Sequence, residues 1–221
     1  FNTYNMKKNG FILIALIALI CQPAFTQKKI DIGVQGGYNY SMPKLKSSLL
    51  YGNLNGFHVG PVLTYNIKEQ IGVQAGILYN YNNTVVSKIT VGTSGTWRQN
   101  RIIGQGIDIP LRAIYSLPLA DDLIVQIGAG PNFNYALSKY QQKENYVDSK
   151  IVSSLTDKGA SIYASPSDFN RFDTQIGLSL GIKYTGISLR ASYDLGLFDR
   201  DKTSSGSYRE NNIKISLGYT F

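Results

Sequence analysis

The sequence predicts an all-β fold: an eight-stranded antiparallel up-and-down transmembrane β-barrel with short turns at one end and long loops at the other. Three observations lead there. Eight segments alternate apolar with small or polar residues at a strict period of two. The connections between them are alternately short and long. Aromatic residues collect at the strand ends, with aliphatic residues between.

The chain opens on an address rather than on a strand. Phe1 to Asn5 precede the start expected at Met6 as an upstream extension. Lys7 and Lys8 form a basic patch, Phe11 to Cys21 is an unbroken apolar run, and Gln22 to Gln27 breaks it with Pro23 and the small residues Ala24 and Thr26. This is the layout of a cleaved signal peptide. The run is shorter than the roughly 20 apolar residues of a membrane-spanning helix. Residues 1–26 are therefore expected to leave, and residues 27–221 to form a single barrel domain. An alternative reading makes Cys21 a lipidated cysteine, but Ile20 stands where a small residue is expected.

The strands follow in order. Ile30, Ile32, Val34, Tyr38 and Tyr40 alternate with Asp31, Gly33, Gln35, Gly37 and Asn39. Phe57, Val59, Pro61, Leu63 and Tyr65 alternate with His58, Gly60, Val62 and Thr64. Ile71, Val73, Ala75, Ile77, Tyr79 and Tyr81 alternate with Gly72, Gln74, Gly76, Leu78 and Asn80. Ile107 to Tyr115, Val125 to Tyr135, Ile176 to Tyr184, Ile187 to Leu195 and Ile213 to Phe221 repeat the pattern. Connections near Lys68-Glu69, Leu117 to Asp122 and Thr185-Gly186 are short. Those at 42–55, 82–101, 137–168 and 199–209 are long and polar. An even strand number puts both chain ends on the short-turn side.

A soluble sandwich or lipocalin-like barrel also alternates. The large apolar and Tyr-rich face would not fit inside a narrow eight-stranded lumen, whereas the Gly, Ser, Asn and Gln face would. The apolar face is therefore expected to meet lipid. Tyr38, Tyr40, Phe57, Tyr79, Tyr81, Phe133 and Tyr135 mark one girdle; Tyr65, Tyr115, Tyr184, Tyr219 and Phe221 mark the other.

Charge and composition narrow the chemistry. The formal net charge is +8, and without the leader 20 basic and 14 acidic residues remain, or +6. The bases are scattered, so nucleic acid is not expected as a partner. One Cys and one His exclude a disulfide framework and any metal site needing two imidazoles; no cofactor is expected.

On the inward face, Asp31, Asp108 and Asp194 oppose Arg112, Lys183, Arg190 and Lys214. These seven are expected to pair across the lumen, because an unpaired ion in a narrow interior is costly. The alternative is a gated ion or proton path. His58 is expected inward near the long-loop rim; no Gly-x-Ser-x-Gly elbow accompanies it. Gly128-Ala129-Gly130-Pro131 lies mid-strand without a following helix, so it lacks the geometry of a phosphate site. Pro61, Pro110 and Pro131 fall within strands and lead one to expect bulges. The 137–168 segment, with Tyr140, Tyr146 and Tyr163, reads as an adaptable binding loop or as a solvated loop whose Lys139, Lys143, Lys150 and Lys158 meet lipopolysaccharide phosphates.

Four short motifs carry a resemblance. They are Ile32-Gly33-Val34-Gln35-Gly36-Gly37, Gly106-Ile107-Asp108-Ile109-Pro110-Leu111, Gly128-Ala129-Gly130-Pro131 and Leu217-Gly218-Tyr219-Thr220-Phe221. In these the chain resembles the PorT-like outer-membrane β-barrel proteins of Bacteroidota, which share a general outer membrane protein beta-barrel domain. The resemblance covers the whole mature chain. It implies a bacterial outer-membrane location, with lipid, lipopolysaccharide and the barrel-insertion machinery as partners. Tyr219 and Phe221 would form the terminal insertion signal. PorT itself is linked to type IX secretion, a role that generic barrel motifs do not carry over. The expected function is a non-enzymatic binding or accessory and assembly component acting through its extracellular loops, with a possible envelope protein partner. A narrow small-solute pore and a membrane-embedded hydrolase or acyltransferase stay open as alternatives.

Overall fold

The computed structural model describes residues 29–45, 52–90, 95–148, 150–157, 163, 169–202 and 207–221. The leader expected over residues 1–26, Cys21 within it, and Lys158 lie outside the described residues. Ten strands are described: β1 (Ile30–Leu45), β2 (Leu54–Asn66), β3 (Ile71–Gly76), β4 (Leu78–Thr90), β5 (Thr96–Ala120), β6 (Leu123–Val147), β7 (Lys150–Asp157), β8 (Phe172–Tyr184), β9 (Ile187–Gly196) and β10 (Tyr208–Thr220). Every pairing is antiparallel. β1 pairs β2; β2 pairs β3 and β4; both pair β5; then β5–β6, β6–β8, β8–β9, β9–β10 and β10–β1 follow. The pairings thus return to β1, and β7 hangs from β6 outside that circuit.

The strand number differs from the eight expected, for two reasons. The third expected strand divides into β3 and β4 at Ile77. That residue stands opposite Pro61 of β2, and its neighbour Gly76 stands opposite Pro110 of β5; a proline offers no N–H to a ladder. Ile77 keeps one tie, its N–H donating to the Pro61 carbonyl at 3.1 Å. The second reason is β7, which lies in a segment expected to be loop.

Burial runs inside out. Leu178, Leu217 and Leu189 expose 65, 61 and 55% of their surface, whereas Asp108, Asp173 and Asp194 expose 1% or less. A water-soluble domain shows the reverse. Alternate residues of each strand therefore separate an apolar exterior from a polar interior, as the period of two requires. Five aliphatic side chains, Leu54, Leu78, Ile102, Ile103 and Ile114, break the rule and are buried.

The short turns fall at 67–70, 121–122 and 185–186. In the tightest, Thr185 and Gly186 both take positive φ, 44° and 94°, the backbone of a two-residue hairpin whose twist matches its strands. On the barrel wall, a Cβ at Gly37 would stand 1.9 Å from the Ile215 carbonyl, so only glycine lets β1 and β10 approach as they do.

The other end departs most from expectation. β5 and β6 have 25 residues each, and their pairing runs out to Thr96 and Val147. About 10 residues suffice for a strand to cross a bilayer. The segments 82–101 and 137–168, expected as loops, are therefore largely strand: β4, β5, β6 and β7 continue beyond the membrane band as a projecting sheet. Trp97 stacks on Tyr146 there with centroids 5.0 Å apart, and the Lys88 ammonium lies 4.4 Å from the Trp97 ring centre.

Register shifts fall between Val85 and Ser87, Gln105 and Gly106, Pro118 and Ala120, and Asn145 and Tyr146. None falls at Pro61, Pro110 or Pro131, where bulges were expected. The strand break at Ile77 takes up the strain of the first two. At the third, the β5–β6 pairs skip from Pro110–Asn132 to Ala113–Ala129 without a change of register.

Candidate functional site

Among the described residues, chemistry-bearing side chains converge in the lumen, in three layers. The middle layer holds four charges. Arg112 of β5 ion-pairs with Asp194 of β9. Lys214 of β10 lies 2.5 Å from Asp108 of β5 and 3.2 Å from Asp194. All four are almost fully buried. Two cations against two carboxylates make the layer neutral.

Arg112 does more than neutralise. Its Nη1 donates to the Gly130 and Pro131 carbonyls at 2.5 and 2.7 Å. These carbonyls sit where the β5–β6 ladder is interrupted, so the guanidinium takes up acceptors that the interruption leaves open. Asn134 Nδ2 donates to Asp108 at 2.5 Å and fixes that carboxylate from the neighbouring strand.

The layer at the short-turn end holds the other three expected charges. Lys183 of β8 reaches Asp31 of β1 at 3.6 Å. Arg190 of β9 meets no carboxylate within 4 Å among the described residues, contrary to the expected pairing. Its Nη1 donates to Gln74 Oε1, and its Nη2 to Gln126 Oε1 at 3.0 Å.

The mouth layer was not foreseen. Lys139 of β6 lies 3.3 Å from Glu210 of β10 and donates to the Tyr208 hydroxyl at 2.6 Å; that hydroxyl donates to Glu210 at 2.5 Å. Arg200, in the segment joining β9 and β10, folds inward. Its Nε donates to the Asn170 carbonyl at 3.0 Å, its Nη2 to the Tyr163 hydroxyl at 2.7 Å, and its Nη1 stands 3.9 Å from Glu210. Gln175 ties this layer downward, donating to Asp173 and to the Glu210 carbonyl and accepting from Asn132 and Asn212.

Two expectations for the long segment are thereby corrected. Lys139 is 5% exposed and faces the lumen, not a phosphate surface. Tyr163 is buried against Arg200 rather than displayed for a partner. The cause for Lys139 is one extra residue. Gly106 pairs with Ala136 and Gln105 with Ser138, leaving Leu137 without a counterpart and turning the following side chains to the opposite face. Nothing in the alternation marks that residue beforehand. Glu210 and Tyr208 were within reach of the sequence: continuing the parity of Ser216 and Lys214 upstream places Asn212, Glu210 and Tyr208 inward.

His58 faces inward and is buried, as expected, but it stands beside the middle layer rather than near the long-loop rim, with Nε2 2.8 Å from the Ser216 hydroxyl oxygen. Its Nδ1 has no hydrogen-bond partner among the described residues. The orienting carboxylate of a hydrolase triad is thus not in place on it. Tyr219 and Phe221 meet edge to face with centroids 5.4 Å apart on the exterior at the short-turn end.

Two cavities of about 20 and 30 Å³ lie between the middle and short-turn layers. Each has room for one or two waters.

Residues 22–202 match the family described as "Outer membrane protein beta-barrel domain". No curated protein matches the chain. Among solved structures, the chain is similar to Ail, the attachment invasion locus protein of Yersinia pestis, at 12% identity over 86% of this chain and 98% of that one, with a TM-score of 0.41. It is similar to Neisserial surface protein A at 14% identity over 86% and 97%, TM-score 0.41. It is also similar to OprG of Pseudomonas aeruginosa at 13% identity over 86% and 95%, TM-score 0.40.

Proposed function

The chain belongs to the outer membrane protein beta-barrel domain family and resides in the bacterial outer membrane, and from that premise we propose that it is a non-enzymatic barrel with a filled lumen, acting as a binding or accessory component through its projecting sheet. The carrying observation is the three-layered ionic interior, with cavities of only about 20 and 30 Å³ between two of the layers. An eight-stranded wall leaves an interior that side chains fill. We count eight staves, β3 and β4 forming one interrupted stave and β7 standing outside the ring. By the same reading the leader is removed near Thr26–Gln27, the short turns and both ends of the mature chain face the periplasm, and Tyr219 and Phe221 address the insertion machinery.

The projecting sheet favours binding as the task. It presents Trp97, Tyr146, Lys88 and Arg98 above the membrane surface. Aromatic faces beside cations suit an envelope protein or the phosphate-bearing headgroups of lipopolysaccharide. The resemblance of the four short motifs to PorT-like proteins belongs to the same reading, without lending the chain a secretion role. Two measurements test the reading: conductance of the purified barrel in planar bilayers, and mild-detergent co-purification from native membranes. A steady open conductance overturns the filled lumen in favour of a pore. A partner that is retained by the parent and lost from Trp97→Ala supports the binding role; equal retention by both sinks it.

A further inference from the structure

We propose that the short-turn end of the lumen is a binding site for a small inorganic anion of halide size, centred on the Arg190 guanidinium. The argument starts from charge. Arg112, Lys214, Lys139, Arg200 and Lys183 each have a carboxylate within 4 Å. Arg190, on the same inward face, has none among the described residues. Around its layer stand two cations, Arg190 and Lys183, and one carboxylate, Asp31, so the layer carries one uncompensated positive charge.

Its immediate partners hold Arg190 without cancelling that charge. Gln74 and Gln126 accept from the two Nη atoms. Each glutamine is itself anchored: Gln74 Nε2 donates to Thr64 Oγ1 at 3.0 Å, and Gln126 Nε2 to Ser116 Oγ at 3.3 Å. The guanidinium plane is therefore fixed, while three of its five N–H donors remain for another acceptor. A water satisfies a donor but leaves the charge, and a half-buried cation held without a counter-charge gains from an anion that can reach it.

Space and lining agree. The cavity of about 20 Å³ is bordered by Arg190, Lys183, Asp31, Gln35 and Ser188, and the one of about 30 Å³ touches Arg190 from the other side. Such a volume takes a halide in place of a water. A tetrahedral oxyanion, with four oxygens to accommodate, is too large for it. The short-turn end opens to the periplasm, which supplies chloride. The site is independent of what the projecting sheet binds.

The test is chloride-35 NMR line width with the folded, detergent-solubilised barrel at constant ionic strength, gluconate replacing chloride. The parent is expected to broaden the chloride line and to lose that broadening on adding sodium bromide but not sodium sulfate. Arg190→Gln removes the cation and abolishes the effect. Gln74→Glu gives Arg190 an internal carboxylate and abolishes it as well, in a variant whose folded mobility on gels is kept; it decides the matter where Arg190→Gln fails to fold. Lys44→Gln lowers the net charge equally but is exposed at the far end of β1, outside the lumen, and retains the broadening. Broadening that survives Gln74→Glu, vanishes in Lys44→Gln, is displaced equally by sulfate, or is missing from the parent overturns the site.

Discussion

Lys214 of β10 sets its ammonium 2.5 Å from the Asp108 carboxylate of β5, and these two strands lie four steps apart whichever way the barrel wall is followed. The contact therefore spans the lumen at its full width. A strut of this kind resists ovalisation of the wall, and it determines the outcome of several experiments.

Replacing Lys214 with Met leaves Asp108 without its cation and Asp194 with Arg112 alone. Unpairing a buried charge costs about 3–5 kcal/mol. Thermal unfolding in detergent should fall accordingly, with loss of the heat-modifiable gel shift at moderate temperature. Adding Asp108→Asn to Lys214→Met restores neutrality and should recover most of the loss. An unchanged melting point in the single variant contradicts the strut.

Arg112→Lys tests a different feature. The charge survives, but the fork that reaches Asp194 and the Gly130 and Pro131 carbonyls together does not. Two interrupted-ladder acceptors lose their donor, at roughly 1–3 kcal/mol each where they stay unsatisfied. A destabilised Arg112→Lys is the expected result, read by thermal unfolding.

Gly37→Ala should destabilise by about 1–3 kcal/mol through overpacking, since the added Cβ meets the Ile215 carbonyl at 1.9 Å and backbone must shift. Gly52, whose Cβ would meet nothing within 4 Å, serves as the neutral comparison. Equal melting of Gly37→Ala and Gly52→Ala would count against the close β1–β10 seam.

Cysteine probes resolve the two faces. Leu189→Cys and Leu217→Cys should be quenched by lipid-borne reagents in the folded barrel, whereas Ser216→Cys, in a position 4% exposed, should not. Identical labelling of all three by a water-soluble reagent would reverse the inside-out assignment.

The segment joining β9 and β10 has its own pH dependence. Asp199 is exposed and accepts from the Tyr208 backbone N–H at 2.8 Å and from that of Asp201 at 3.0 Å. The Tyr208 N–H, first among these bonds, holds its carboxyl below the usual carboxylate range. A depressed value means stability that is present above the unfolded-state value and lost as pH falls through the folded one. Protection of the Tyr208 amide from exchange, relative to its intrinsic rate at each pH, should therefore fall on acidification below the ordinary carboxylate range, and Asp199→Ala should show the reduced protection at neutral pH. Protection independent of both changes excludes the tether.

The wall was legible in the sequence because period two is a local signal. Ile213 to Phe221 states which side chains face out without reference to any other strand, and the outward exposure of Leu189, Leu178 and Leu217 follows from it. Asp108, Arg112, Asp194 and Lys214 were placed inward by the same parity. Their distances depend on register and tilt, and these are set by pairings between remote segments. Arg190 shows the limit: parity gave its face, while its glutamine partners come from β3 and β6, strands that its own segment does not touch. Lys139 shows another, since Leu137 inverts the parity with no local mark. The projecting sheet was read as loop because Lys139 to Tyr146 alternates poorly. Outside the membrane, both faces of a sheet can be wet, so the apolar half of the pattern is no longer demanded.

β10 is the last strand of the chain, yet it supplies Lys214 to the middle layer, Glu210 and Tyr208 to the mouth, and Ser216 to His58. Until it docks, the inner wall of the growing sheet carries Asp108 without its cation and Lys139 without its carboxylate, so the unclosed sheet keeps a wettable concave side. The β1–β10 seam thus joins hydrogen-bond closure of the wall to charge neutralisation of the lumen, and β10 docked out of step by one residue would turn Lys214 to the lipid and leave the carboxylates unanswered.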